Sequence, residues 1–439
     1  MFTIYSLADA QASILKRQPP DAYEVPPAMQ ERLTALFGEP IGPDEAVRRI
    51  LKSVREGGDA AIKDWTQRID GVSLDSLVVP EEEIRAAAKA VSPDIYHALQ
   101  LAAQRIHDFH RLQPLKKWVE QGVGQLIRPL ARVGVYVPGG SAPLPSSLLM
   151  SAIPARVADV KEIIVCTPPG REGGKVPDVI LAAAAIAGVT KLYRVGGAQA
   201  VAAMTYGTET IPRVDKIVGP GNLFVTLAKR QVFGMVGIDG LPGPTETMII
   251  ADDTANPALV AADLLAQAEH DILAAAILVT PSRTLAEQVG VEIEKQTASL
   301  SRADIIRQSL AGQGGAVIVE NLPQAFEVTN AYAPEHLCLL IKDAREWTGY
   351  VQNAGGIFIG EQSFEVLGDY IAGPSHVMPT TGTARFASPL NVWDFVKITS
   401  LVHLDAELSA ELSPIAAKLA HVEGLTAHAA SAEARSKKE

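Results

Sequence analysis

The sequence predicts an α/β protein built as two three-layer halves with parallel sheets, with a helical arm at either end. Three observations carry this. Between residues 132 and 341, short apolar runs alternate with stretches of helical length and period, the pattern of strands covered on both faces by helices. The alternation pauses and starts again near Glu246, which gives two series of similar size. At 439 residues, the chain also exceeds the roughly 250 to 300 residues that one hydrophobic core serves.

The elements follow in order. Residues 1–30 read as a polar, helix-prone arm ending in Gln18-Pro19-Pro20 and Pro26-Pro27. From Asp44 to Gln113 the pattern is helical, with apolar residues at three and four spacing through Ala46, Val47, Ile50, Leu51 and Val54 and again through Tyr96, Leu99, Leu101 and Ile106. The one strand signal of weight there is Val78-Val79. At Arg132 the period changes: Val133-Gly134-Val135-Tyr136-Val137 is a buried strand closed by Pro138-Gly139-Gly140. A helix over 146–157 follows, then strands at 162–167, 191–195 and 216–218, with helices at 176–187, 198–206 and 222–233. The second series places strands at 247–251, 275–279, 316–319 and 336–341 and helices at 257–269, 285–296 and 322–332. No residue-level repeat relates the two series. After Pro389 the pattern turns helical, and residues 415–428 form a C-terminal helical arm. Arms at both ends of a compact body commonly serve dimerisation.

Composition narrows the function. Hydrophobic residues make up 47% and charged residues 20%, a globular balance. The longest apolar run, 179–189, has eleven residues where a membrane span needs about twenty. The first ten residues lack a basic segment followed by an apolar one, so no secretory signal is visible and the cytoplasm is the expected location. Net charge is −11 with scattered basic residues, which argues against nucleic acid as a partner. The two cysteines, Cys166 and Cys338, sit in strand-like runs outside any CxxC pattern. Any metal must therefore be held by nitrogen and oxygen.

Chemistry concentrates in a few segments. Gln267 and His270, three residues apart on an apolar helix, share one face, where they form either a hydrogen-bonded couple or half of a metal site. Pro138-Gly139-Gly140, Gly196-Gly197 and Gly219-Pro220-Gly221-Asn222 each follow a strand and precede a helix. Such turns suit a diphosphate, or simply make the chain turn tightly, and none is a GxGxxG fingerprint. Glu335-His336 puts a carboxylate and an imidazole just before a strand, enough for acid and base. The segment from Gly368 to His376 holds an acid, glycines, a proline and a histidine with little apolar material; it is a ligand-bearing loop or a surface turn.

Taken together and in order, these segments resemble the histidinol dehydrogenase family. The likeness spans roughly residues 40–430 and rests on Tyr136-Val137-Pro138-Gly139-Gly140, Pro145-Ser146-Ser147, Ala152-Ile153-Pro154-Ala155, Gly196-Gly197-Ala198-Gln199-Ala200, Gly219-Pro220-Gly221-Asn222, Leu265-Ala266-Gln267-Ala268-Glu269-His270, Ala333-Pro334-Glu335-His336 and Gly424-Leu425-Thr426-Ala427-His428. The resemblance implies one zinc per subunit on Gln267, His270, Asp369 and His428, with His428 reaching the site of the other subunit of a homodimer on an exchanged C-terminal arm. Glu335 and His336 match the family's acid and base pair. Thr245, His376 and Glu423 match its substrate contacts, joined by the metal ligands and His336, and Tyr136, Gln199 and Asn222 match its NAD contacts.

The implied reaction is oxidation of L-histidinol through L-histidinal to L-histidine with two NAD+. The implied fold is two Rossmann-like domains: residues 31–131 with 243–385 bearing the metal and catalytic groups, and 132–242 binding the nucleotide, flanked by arms at 1–30 and 386–439. One departure is visible: Gly243-Pro244-Thr245-Glu246 stands where the family has Gly-Pro-Ser-Glu, keeping the hydroxyl and adding a methyl group. Two rival readings are a related zinc and NAD enzyme acting on another small alcohol, as sulfopropanediol dehydrogenase does, and a non-catalytic nucleotide-binding regulator. No acid that would read the cofactor ribose stands out, so NAD and NADP are not distinguished.

Overall fold

The computed structural model describes residues 2–17, 26–139, 143–171 and 173–436. Gly140 of the first glycine turn, residues 18–25 of the N-terminal arm and the last three residues lie outside the described residues.

The first sheet has six parallel strands, in the order Ile4–Ser6, Gly314–Ile318, Ala275–Thr280, Glu246–Ala251, His336–Leu340 and Gly356–Ile359. Glu246–Ala251, Ala275–Thr280 and His336–Leu340 are buried at every position, which is why they read as unbroken apolar runs rather than alternating ones. Alternate residues serve opposite faces. Ile249 and Ala251 pack with the helices Pro257–Ala268, Arg283–Thr297 and Ala303–Gln313, while Met248 and Ile250 pack with Leu7–Ala12 and Leu322–Tyr332.

The second sheet runs Val78–Val79, Lys191–Arg194, Glu162–Thr167, Arg132–Tyr136, Lys216–Val218 and Gly237–Ile238, parallel except for its first pair. Pro43–Asp70, Gly197–Tyr206 and Leu223–Val232 bury one face. Pro93–His110, Pro145–Val157 and Asp178–Ala187 pack together over the other. The expected α/β class with two three-layer halves is therefore what the chain forms.

The division of the chain differs from expectation in three places. Residues 31–113 do not join the segment 243–385: Val47, Ile50, Leu51, Val54, Ile62 and Trp65 share a core with Tyr136, Ala200 and Met204, and Val79 pairs with Leu192. Helical spacing names the apolar face of a helix but not the sheet that face will cover. The N-terminal arm is not only helical, since Ile4–Ser6 is an edge strand of the first sheet, paired with Gly314–Ile318. The C-terminal arm expected at 386–439 is not all helical: its residues up to Phe395 belong to the main unit and a strand, Val396–Val402, follows them.

That strand belongs to a second compact unit, Pro114–Pro129 with Val396–Glu439. Within it Trp118–Glu120, Val123–Pro129 and Val396–Val402 form an antiparallel sheet, with Ile398 opposite Ile127. Two paired helices follow, Ala406–Val422 and Thr426–Ser436. Asp405 caps the first through the Leu408 amide at 2.8 Å. Gly424, at φ +74°, turns the chain between them. Among the described residues no helix is long and apolar enough to cross a membrane.

Candidate active site

Glu246–Ala251 and His336–Leu340 are neighbours in register, with Thr247 opposite His336. Their amino ends therefore bring Thr245, Glu246, Glu335 and His336 together. Glu335 is buried; its Oε2 accepts from the Thr245 hydroxyl at 2.7 Å and the Glu246 amide at 3.0 Å. Burial pushes its carboxyl up to about 7, against the pull of the nearby His336.

His336 is 3% exposed, and its Nδ1 lies 3.2 Å from the Glu246 carbonyl oxygen. That contact requires Nδ1–H, which leaves Nε2 as the working nitrogen. Nε2 is buried without a hydrogen-bond partner and stands 3.6 Å from Asp369 Oδ1. Burial opposes the imidazolium, but Glu365, Glu335 and Asp369 outweigh it and raise the ring's pKa well above the ordinary histidine value.

Glu365 is the residue that sequence reasoning missed. It opens the short helix Glu365–Tyr370, is 2% exposed, accepts a hydrogen bond from the Thr247 hydroxyl and lies 3.9 Å from His336 Nδ1. Burial raises its carboxyl to about 7. A lone Glu before Val366-Leu367 carries no motif; only its place beside a strand 29 residues earlier gives it meaning.

The helix Pro257–Ala268 packs against Glu365–Tyr370. Gln267 is fully buried there with both amide atoms unpartnered, a costly state for a polar group that has no ligand. His270 follows the helix end. The residue is exposed, but the surrounding protein still holds its pKa below the ordinary value, with Asp369 pulling the other way and His336 adding to the lowering. His376 Nδ1 lies 2.8 Å from the Asp369 carbonyl oxygen, and its Nε2 is 3.4 Å from the Ser147 hydroxyl on the helix over the second sheet. Gln267, His270, Asp369, His376, Glu335 and His336 thus belong to one region. Among the described residues no group of three or more His, Cys, Asp or Glu is placed to hold a metal.

The glycine turns occupy the opposite kind of position, at the carboxyl ends of the second sheet. Gly219 has φ +110°, and a Cβ there would stand 2.2 Å from the Tyr136 carbonyl oxygen, so only glycine fits. Its amide donates to Asp239 at 2.6 Å and its carbonyl accepts from Lys229 at 3.1 Å, Lys229 and Asp239 being a buried ion pair. Asn222 caps Leu223–Val232 by accepting from the Phe224 and Val225 amides at 3.1 and 3.2 Å. The Tyr136 hydroxyl accepts from the Gly197 amide at 3.1 Å. Gln199 is fully buried with both amide atoms unpartnered. Gly197, Gln199 and Asn222 line a cavity of about 550 Å³ closed by residues of Pro27–Phe37 and Pro43–Asp70, including Arg32 and Arg68. None of the acid–base residues lines it.

Known proteins agree on one family. The family model described as histidinol dehydrogenase matches residues 42–436. The chain belongs to the histidinol dehydrogenase family. It is 51% identical over 419 residues to the histidinol dehydrogenase of Deinococcus radiodurans, covering 94% of this chain and 95% of that one. It is also 51% identical over 396 residues to that of Thermus thermophilus, covering 89% and 94%. The crystal structure of histidinol dehydrogenase from Elizabethkingia anophelis superposes with a TM-score of 0.90 at 34% identity, covering 99% of this chain and 98% of that one. As a member of the histidinol dehydrogenase family, the chain is an oxidoreductase. Two residues that the family resemblance singled out, Glu423 and His428, lie in the second unit, at the end of Ala406–Val422 and in the first turn of Thr426–Ser436, both exposed.

Proposed function

We propose that this chain oxidises L-histidinol through L-histidinal to L-histidine, the end of histidine biosynthesis, with one zinc per subunit and two NAD+ per substrate, as a cytoplasmic homodimer. The observation that carries the reading is His336, whose Nε2 is buried, unpartnered and 3.6 Å from Asp369 while Glu335 and Glu365 stand 3.7 and 3.9 Å from its Nδ1. Gln267 adds a buried amide that needs a ligand. The donor set is all nitrogen and oxygen, as a site without cysteine requires. Gln267, His270 and Asp369 would hold the zinc, with His428 of the other subunit's C-terminal arm as fourth ligand. The metal would supply Lewis acidity and a template for the substrate, while NAD+, held by Tyr136, Gln199 and Asn222, would supply the hydride acceptor.

The chain's own groups divide the proton work. The neutral ring of His336, its Nδ1–H held by the Glu246 carbonyl, takes the alcohol proton at Nε2, and Glu365, Glu335 and Asp369 stabilise the imidazolium that forms. Glu335, with a carboxyl near neutrality, takes a proton from the water that adds to the aldehyde. Once it has released the first proton to solvent, His336 takes the proton of the hydrate in the second oxidation. Thr245 and His376 would contact the substrate, joined by Glu423 on the exchanged arm that carries His428, and Thr245 also holds Glu335 through its hydroxyl. The test is stoichiometric: purified zinc-replete protein should form two NADH per L-histidinol and lose that activity on chelation. No turnover of histidinol would transfer the reading to another small alcohol.

A further inference from the structure

Glu246 is the hub of the acid–base pair. Its amide donates to Glu335 Oε2 at 3.0 Å, and its carbonyl oxygen lies 3.2 Å from His336 Nδ1. Whatever fixes Glu246 fixes both reactive side chains. Its own side chain is 5% exposed, so its carboxylate needs a partner. The Thr381 amide donates to it at 3.0 Å. The principal partner is Arg17, whose guanidinium pairs with both carboxylate oxygens, Nη2 to Oε2 at 2.9 Å.

Arg17 also grips the helix end and turn that lead into the pair. Nε and Nη2 donate to the Tyr332 carbonyl at 3.1 and 2.6 Å, Nη2 reaches the Ala333 carbonyl at 3.3 Å, and the guanidinium lies 3.6 Å over the Tyr332 ring. Ala333 takes a left-handed turn, φ +54°, two residues before Glu335. One guanidinium therefore ties the start of Glu246–Ala251 to the turn that launches His336–Leu340. A planar fork suits this bridging of a carboxylate and carbonyls; an ammonium does not replace it.

We propose that Arg17, which lies ahead of the residues 42–436 that match the family model, is a positioning residue for catalysis: it acts through Glu246 to set Glu335 and His336. The proposal rests on the reading of Glu335 and His336 as the acid and base. It gives the N-terminal segment a role in the reaction, beyond its edge strand.

The experiment compares Arg17→Met, Arg17→Ala, Arg17→Lys, Glu246→Gln and Glu335→Gln in steady-state turnover of L-histidinol by zinc-loaded enzyme. Misplacing a reacting group by about 1 Å costs on the order of 100-fold. Arg17→Met should lose about 10- to 100-fold in kcat with KM for NAD+ and bound zinc unchanged. Arg17→Lys should recover part of it, and added methylguanidine should rescue Arg17→Ala. Wild-type kcat in Arg17→Met while Glu335→Gln is impaired would overturn the clamp alone, whereas wild-type kcat in Glu335→Gln would overturn the reading beneath it. If Arg17→Met does not fold, Arg17→Lys and Glu246→Gln decide, wild-type kcat in both refuting the proposal. Loss of kcat that tracks lowered Tm, with no rescue by methylguanidine, makes Arg17 merely structural and refutes it too.

Discussion

The Thr245 hydroxyl donates to Glu335 Oε2 at 2.7 Å. The family resemblance leads one to expect serine at Thr245, and the hydroxyl that threonine shares with serine is in use here. The hydrogen bond stabilises the ionised carboxylate and so opposes the burial that raises it.

Thr245→Ser should consequently retain activity. Thr245→Val removes a hydrogen bond to a charged group, a loss of about 1.5–3 kcal/mol, and should slow conversion of L-histidinal to L-histidine by 10-fold or more. Single-turnover rates of the two half-reactions check this; a valine variant as fast as the wild type in the aldehyde step would remove Thr245 from the account.

The pH dependence follows from Glu335. Its carboxyl titrates at about 7 and must be ionised to take a proton from water. Below that pH it is protonated and the aldehyde step slows; above it the step reaches a plateau. Glu335→Gln should flatten this limb and slow aldehyde oxidation by about 100-fold or more, with a smaller effect on the first oxidation. Equal losses in both steps would refute its assignment as the base that activates water.

The proposed exchange of the C-terminal arm can be tested by complementation. Asp369→Asn and His428→Asn should each abolish zinc binding and turnover as homodimers. Refolded together, they give mixed dimers in which one site has both defects and the other has neither. Random pairing then restores about a quarter of wild-type activity. A mixture as inactive as its parents would place all four ligands within one chain.

Beneath the glycine turn, Lys229 and Asp239 are 0% and 4% exposed and hold both backbone groups of Gly219. Lys229→Met leaves Asp239 buried without a countercharge and should cost about 3–5 kcal/mol of stability, read as a fall in Tm. The surviving folded enzyme should show a raised KM for NAD+ and an unchanged affinity for zinc. Unchanged Tm and KM together would show that the pair does not hold the turn.

How far the sequence reached differs between the two sheets. The second sheet's series from Val133 to Phe233 was legible almost strand by strand, because its strands are local and each is closed by a glycine or proline turn. The edge strand at Ile4–Ser6 and the antiparallel strand Val396–Val402 were not. Three residues at an edge leave little period to read, and Val396–Val402 finds its partner at Val123–Pro129, more than 260 positions earlier. Glu365 and Arg17 were invisible for the same reason, since neither carries a motif and both act only through residues distant in the chain.

By itself the sequence determined the α/β class, the order of most strands and helices in both series but not the helix Ala303–Gln313 or the strands Gly237–Ile238 and Gly356–Ile359, the nitrogen and oxygen character of any metal site and the ordered motifs at Gln199, Asn222, Gln267, His270, Glu335 and His336. These are local properties: side-chain period, turn chemistry and ligand type are written in consecutive residues. Tertiary structure alone decided that residues 43–70 cover the second sheet, that the acid and base sit at the amino ends of the first, and that Thr245, Glu246, Glu365 and Arg17 surround them. Strand pairing brings residues 90 positions apart into hydrogen-bonding distance, and that register is set by how whole faces pack, which no single segment encodes.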